Sequence, residues 1–196
     1  MAARKKKFVQ RPVVLEDAKS IKALAHPARL AIIDELFAGR ELTATECAEI
    51  VGMSPSAMSY HLRALERAGM IERALSSDDG RERPWRAKGT SITVNSTSSK
   101  LALAATTALA TTVVERVGAG LRDWLARGEQ EDPAWREVAG VSDARLWLTR
   151  QEAEQVERSS REFVEQFRGR TADNHPEGAR RVRVTVLMYP TDDGSS

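Results

Sequence analysis

The chain has one cysteine and three histidines, and aromatics make up only 5% of its 196 residues. A lone cysteine excludes an internal disulfide framework and suits a reducing compartment. His26, His61 and His175 lie in three separate segments without an i, i+4 partner, and with Cys47 they do not supply the ligand set of a metal site, so no metal is expected. Glycine-rich phosphate loops and paired-carboxylate motifs are also missing. Ser59-Tyr60-His61 sets a nucleophile type and a base type two apart on a helix, where side chains diverge. An enzyme is therefore not expected, and no cofactor is called for. The longest uncharged helical-looking run, Leu101 to Val114, is well short of the roughly 20 residues of a membrane span. Arg4 to Lys7 has no apolar stretch behind it, unlike a signal peptide. These absences lead to the expectation of a cytoplasmic protein without a membrane partner.

What is present is a helix with both of its end signals. Ser54 can cap, Pro55 suits the first helical position, and Gly69 suits a left-handed exit. Met58, Leu62 and Leu65 recur at helical spacing and should face a core, leaving Ser56, Ala57, Ser59, Tyr60 and Arg63 outside. Short side chains near a helix start allow close approach to a DNA groove, and hydroxyls with a guanidinium can meet base edges and phosphates. Upstream, Thr43 and Glu46 make a capping box for a short helix that breaks at Gly52, with Gly52 and Met53 as the turn. Pro27 and Ala28 open a supporting helix with Leu30, Ile33, Leu36 and Phe37 on one face. Downstream, the short mixed stretch from Met70 and the stretch Trp85 to Lys88 read as two strands around the polar turn 76–84, a wing.

These segments, from Ala23-Leu-Ala-His-Pro-Ala-Arg through Met53-Ser-Pro-Ser-Ala-Met-Ser-Tyr-His-Leu to Ala68-Gly-Met-Ile and the arginine-bearing wing, resemble the ArsR-like (arsenical-resistance repressor type) winged-helix family. The likeness covers roughly residues 15 to 90. It implies a homodimeric prokaryotic transcription factor with its recognition helix at Ser54 to Ala68 and its wing at 76–83. Metal-sensing members carry a Cys-x-Cys pair where this chain has Thr43-Ala-Thr45, so the resemblance carries no metal response.

Charge distribution agrees. Residues 1–90 hold 16 Lys and Arg against 12 Asp and Glu, whereas residues 91–196 hold 14 against 16, so the basic excess lies on the half with the helix-turn-helix. The DNA-contact set expected is Ser54, Ser56, Ala57, Ser59, Tyr60, His61 and Arg63, with Arg81, Arg83 and Arg86 from the wing, on double-stranded operator DNA of inverted-repeat form.

The expected architecture is mainly α, of α+β type. A basic tail (1–14) precedes the winged helix-turn-helix domain (15–90). A long helix over 98–127 has an apolar stripe from Leu101 through Ala105, Leu109, Val113, Val117 and Leu121 to Leu125, read as a dimerisation helix. A small strand-helix-strand module (128–190) follows, with strands at 144–148 and 182–186 around a helix opened by the Thr149/Glu152 capping box, then a disordered tail (191–196). Trp124, Trp135, Trp147, Phe163, Phe167 and Tyr189 could line a pocket for a small apolar effector or fill the module's core. The functional expectation is a dimeric, sequence-specific transcriptional regulator of repressor type. The rival is a winged-helix protein-protein adaptor, whose binding would lack the steep salt dependence of phosphate contacts.

Overall fold

The computed structural model describes residues 12–74, 83–95, 99–171 and 174–191. They form a mainly helical chain with two small sheets, in the order β1 (Val13–Leu15), α1 (Ala18–Leu24), α2 (Pro27–Phe37), α3 (Ala44–Val51), α4 (Pro55–Arg67), β2 (Ile71–Arg73), β3 (Trp85–Ala87), β4 (Ile92–Val94), α5 (Lys100–Ala126), a 3-10 turn at Gly128–Gln130, α6 (Pro133–Val138) and α7 (Arg150–Glu165). The chain divides into two compact units. The first takes in the described residues through Arg116 with those around Thr171 and His175; the second takes in the described residues from Val117 to Gly169 and from Pro176 onward.

In the first unit the local signals act as written. The Thr43 hydroxyl accepts from Glu46 N–H at 3.2 Å while the Glu46 carboxylate accepts from Thr43 N–H at 2.7 Å, so the box closes on α3. Gly52 ends α3 in the left-handed region at φ 66°, which turns the chain into α4. The Ser54 hydroxyl caps α4 by accepting from Ala57 N–H at 3.3 Å, and Gly69 leaves it at φ 72°. Met58, Leu62 and Leu65 are fully buried against Ile21, Ile32, Leu36 and Cys47. Burial of side chains this size stabilises by roughly 1.5–3 kcal/mol each, so the inner face of α4 is firmly seated.

The wing strands pair antiparallel, Ile71 with Ala87 and Arg73 with Trp85, and Trp85 also bridges back to Leu42 through reciprocal backbone bonds of 2.7 and 3.0 Å. The loop between them, 75–82, lies outside the described residues, as do Arg81, the basic run of Arg4 to Lys7, and 192–196. Three elements beyond the sequence expectation belong to the unit. Helix α1 is capped by Asp17, which accepts from Ser20 N–H at 2.9 Å, and β1 pairs in parallel with β4, closing the unit near its two ends.

Helix α5 follows at the expected place, but its stripe is divided. Ala102, Ala105 and Leu109 are buried and Val113 is partly buried, with Ala105, Leu109 and Val113 packing into the first unit's core. Arg116 meets Asp34 of α2 at 2.7 Å. Leu101, expected on the same stripe, is 73% exposed, because it lies one position off the 102–105–109 arc that docks. By length and composition alone α5 could cross a membrane, which corrects the reading from the shorter run 101–114; one face of its first half, carrying Ala105, Leu109 and Val113, packs into the first unit's core.

The second unit departs further from expectation. Asp132-Pro133, read as a loop, caps and opens α6, with the Asp132 carboxylate accepting from Ala134 N–H at 2.8 Å. The Thr149/Glu152 box opens α7 as expected. The strands expected at 144–148 and 182–186 are not formed: neither stretch belongs to a ladder among the described residues, and their side chains are exposed. Alternating apolar residues mark a segment that can enter a sheet, but a strand exists only once a neighbour supplies its hydrogen bonds.

Candidate nucleic-acid interface

The outward side of α4 is built by what its inward side buries. With Met58, Leu62 and Leu65 at zero exposure, the positions between them are turned outward. Ser54, Ser56, Tyr60 and Arg63 are exposed, Tyr60 at 60%, while Ala57 and Ser59 are half-buried. The Ser54 and Ser56 hydroxyls lie 3.2 Å apart at the helix start, where free backbone N–H groups add partial positive charge. Arg63 Nε donates to the Ser59 carbonyl at 3.1 Å, so the guanidinium runs back along the helix toward its N-terminal end. Arg67 repeats the arrangement on the Arg63 carbonyl at 3.2 Å. The result is a short-chained, hydroxylated strip with cations along it, able to donate to and accept from base edges and to meet phosphates.

His61 does not join that strip. It is 8% exposed, and its Nδ1 accepts from Arg29 Nε at 3.2 Å. The placement follows from spacing, since position 61 is three after Met58 and four before Leu65 and so falls on the buried arc. Its ring lies 4.4 Å from that of His26, whose own Nδ1 accepts from Ala28 N–H at 3.2 Å and so caps α2. Burial, then the neighbouring His26, then Arg29 hold the His61 pKa below its ordinary value; burial and then Arg29 do the same for His26. Arg29 also donates to the Ala23 carbonyl, which ties α1, α2 and α4 together at one point.

Arg86 is likewise engaged elsewhere. Its guanidinium donates to Glu72 Oε1 from Nε at 2.9 Å and from a terminal nitrogen at 2.6 Å, across the β2–β3 pair. The ion pair is a cross-strand brace, which sequence order alone does not reveal. Arg83 is exposed at the base of the wing. Arg73, absent from the sequence expectation, stacks over Trp85 at 3.8 Å from the ring centre and donates to the Arg83 carbonyl, so it fixes the wing's root.

The aromatic set proposed for an effector does not converge. Phe163 and Phe167 touch edge to face at 5.5 Å, and Arg180 stacks over Trp135 at 4.9 Å. Trp124 is half-buried, whereas Trp147 and Tyr189 are 86% and 73% exposed and enclose nothing. Among the described residues no group of three or more His, Cys, Asp or Glu is placed to hold a metal.

Residues 24–74 match a family model described as a helix-turn-helix domain. The chain is similar to the HTH-type transcriptional regulator NmtR of Mycobacterium tuberculosis, 43% identical over 54 residues that make up 28% of this chain and 44% of the relative. It is also similar to the transcriptional repressor PagR of Bacillus anthracis, 38% identical over 47 residues, 24% of this chain and 48% of the relative. The chain thus spans about half the length of the curated relatives it matches. Among solved structures, the homodimeric winged helix-turn-helix DNA-binding domain of a Mycobacterium bovis protein aligns at TM-score 0.33 and 24% identity, over 59% of this chain and 85% of that one.

Proposed function

We propose that this chain, which carries a winged helix-turn-helix domain, is a dimeric, sequence-specific DNA-binding transcriptional regulator of repressor type that does not respond to metal. One observation carries the reading: the outward strip of exposed Ser54, Ser56, Tyr60 and Arg63, with half-buried Ala57 and Ser59 between them, stands on a helix whose other side is locked into a core. That is the arrangement a recognition helix needs, because precise base contacts require a rigid backing. The regions shared with NmtR and PagR, both named as regulators, support it. Arg83 of the wing would meet phosphate or minor groove beside the helix, and Arg81, outside the described residues, is assigned the same role from its place in the sequence. His61 and Arg86 are removed from the contact set, since both are engaged inside the domain.

The dimer uses the side of α5 that its own subunit leaves open. Leu103, Ala110, Val114 and Leu125 are exposed and recur at helical spacing, with small Thr107 and Gly118 between them, which permits close approach of a second helix. Two copies then present their recognition helices to successive major grooves about 34–36 Å apart. A regulator of this kind works beside the chromosome, in the cytoplasm. The test is capture of fragments from sheared genomic DNA by the purified full chain at near-physiological salt. Enrichment of one inverted repeat is the expected result; recovery without a shared motif would reject sequence-specific binding.

A further inference from the structure

His26, Arg29 and His61 join the start of α2 to the middle of α4, and their hydrogen bonds require one protonation state. Nδ1 of His26 accepts from Ala28 N–H at 3.2 Å, and Nδ1 of His61 accepts from Arg29 Nε at 3.2 Å. A ring nitrogen that accepts carries no proton, so each imidazole is neutral with its hydrogen on Nε2. A proton added to either ring goes to the nitrogen that is accepting. It sets a donor against a donor, so the bond is lost, and it leaves a cation in its place. The surroundings give that cation no relief. The two rings lie 4.4 Å apart, the charged groups acting on them are each other and Arg29, and Arg29 in turn feels Tyr60 and Arg67 of α4. Helix α1 contributes the Ala23 carbonyl, held by Arg29, and among the described residues no carboxylate acts on any of the three. Full protonation would therefore place three cations in one joint.

The joint also touches the outward strip of α4. The His61 ring meets Tyr60 edge-on at 5.6 Å, and Tyr60 is 60% exposed beside Ser56 and Arg63. Loss of a bond alone leaves α4 seated, because Met58, Leu62 and Leu65 hold it in the core. Added charge does not, since a buried imidazolium beside a guanidinium must find water and pushes against both neighbours. Only a small movement is needed: a constellation that reads base edges must be held within roughly 0.5 Å and 10–20°. We propose that His26, Arg29 and His61 form a proton-sensitive joint that positions α4, holding it for sequence reading when neutral and displacing it when protonated, so that sequence preference is lost in mild acid. The proposal rests on the DNA-binding reading and adds its regulation. Burial and the neighbouring charges keep both histidines below their ordinary pKa, so the joint is closed above about pH 6.5 and opens as pH falls through the lower folded values. Phosphates attract the added charge on any duplex, so general affinity is kept and only the difference between sequences falls.

The test is equilibrium binding of the full chain to its captured inverted repeat and to a scrambled duplex of equal length, at fixed ionic strength from about pH 7.5 to 5, with helical content followed at each pH. In the wild type the ratio of the two affinities should fall by about tenfold, while binding to the scrambled duplex does not weaken and the helical content is kept. In His26→Asn and His61→Asn an amide oxygen replaces Nδ1 as acceptor and does not titrate. Measured against its own ratio at neutral pH, each variant should keep more of its preference in acid than the wild type, and the double variant nearly all of it. Should Asn at position 61 prevent folding, His26→Asn alone makes the comparison. A wild-type ratio that is flat with pH, or one that falls equally in the variants, would overturn the joint. Loss of helical content in step with affinity would overturn it too, by assigning the acid effect to unfolding. A wild type with no preference at neutral pH defeats the DNA-binding reading as well, whereas a preference insensitive to pH defeats the joint alone.

Discussion

At the scale of single residues, exposure separates the side chains that the proposed function assigns to DNA contact from those that hold the helix in place. Arg63 is exposed and anchored only by its own backbone turn, so Arg63→Ala should lower operator affinity by about tenfold, within the roughly 1–3 kcal/mol of a single arginine base contact. Its thermal midpoint should not move. His61 is the converse case. Removing it leaves Arg29 Nε without its acceptor while the Ala23 carbonyl still holds the other end of the guanidinium, so His61→Ala should cost about 1–3 kcal/mol of stability by denaturant titration. Equal operator affinity per folded molecule would confirm the buried role, and a selective loss of sequence preference would contradict it. The inward aim of His61 was legible, since 58, 61, 62 and 65 fall on one arc, but its type and its place on a recognition helix suggested contact. The Glu72–Arg86 brace was not legible, because it joins strands separated by the whole wing.

At the scale of elements, the helices that announce themselves are those with local grammar. The boxes at Thr43/Glu46 and Thr149/Glu152 and the exits at Gly52 and Gly69 each involve residues within one turn, so composition is enough to find them. The strands β1 and β4 are only three residues long, too short for a period to show, and they pair across most of the first unit. The stretches 144–148 and 182–186 carry the period but form no strand, because alternation makes a segment able to pair without supplying the neighbour that bonds to it. Losing a box has a known scale: Glu46→Ala should lower the stability of the first unit by about 0.5–2 kcal/mol in thermal unfolding.

The junction of α1, α2 and α4 makes a further element-scale prediction. His26 and His61 face each other, with Arg29 of α2 against both, and Tyr60 and Arg67 of α4 act on Arg29. Both histidines have pKa values lowered by burial, so the unfolded chain binds protons more readily than the folded one. Their contribution to stability is therefore complete above about pH 6.5 and is lost as pH falls through the lower folded values. The midpoint of thermal unfolding should drop between roughly pH 6.5 and 5, before the carboxylates titrate. His26→Asn keeps a capping side chain for α2 and removes one titrating ring, so its midpoint should fall less over that interval. An identical fall in the variant would place the acid sensitivity elsewhere.

At the scale of the whole molecule, the proposed function calls for two copies, because one recognition helix would span too few bases for a selective site and a two-fold pair would read an inverted repeat. Phosphate contacts then enter twice. Replacing Arg83 by Ala should reduce the slope of log affinity against log salt by about 1 per subunit, with little change in which sequence is preferred. The central claim is that the exposed strip of α4 reads sequence. Its most direct test is equilibrium binding of the full chain to its captured inverted repeat and to a scrambled duplex, at several salt concentrations, with wild type and with Ser56, Ser59 and Arg63 all changed to Ala. The account predicts that the wild type prefers the repeat by at least a hundredfold, and that the triple variant loses this preference while keeping salt-dependent binding to both duplexes. A triple variant that discriminates as well as the wild type would contradict it.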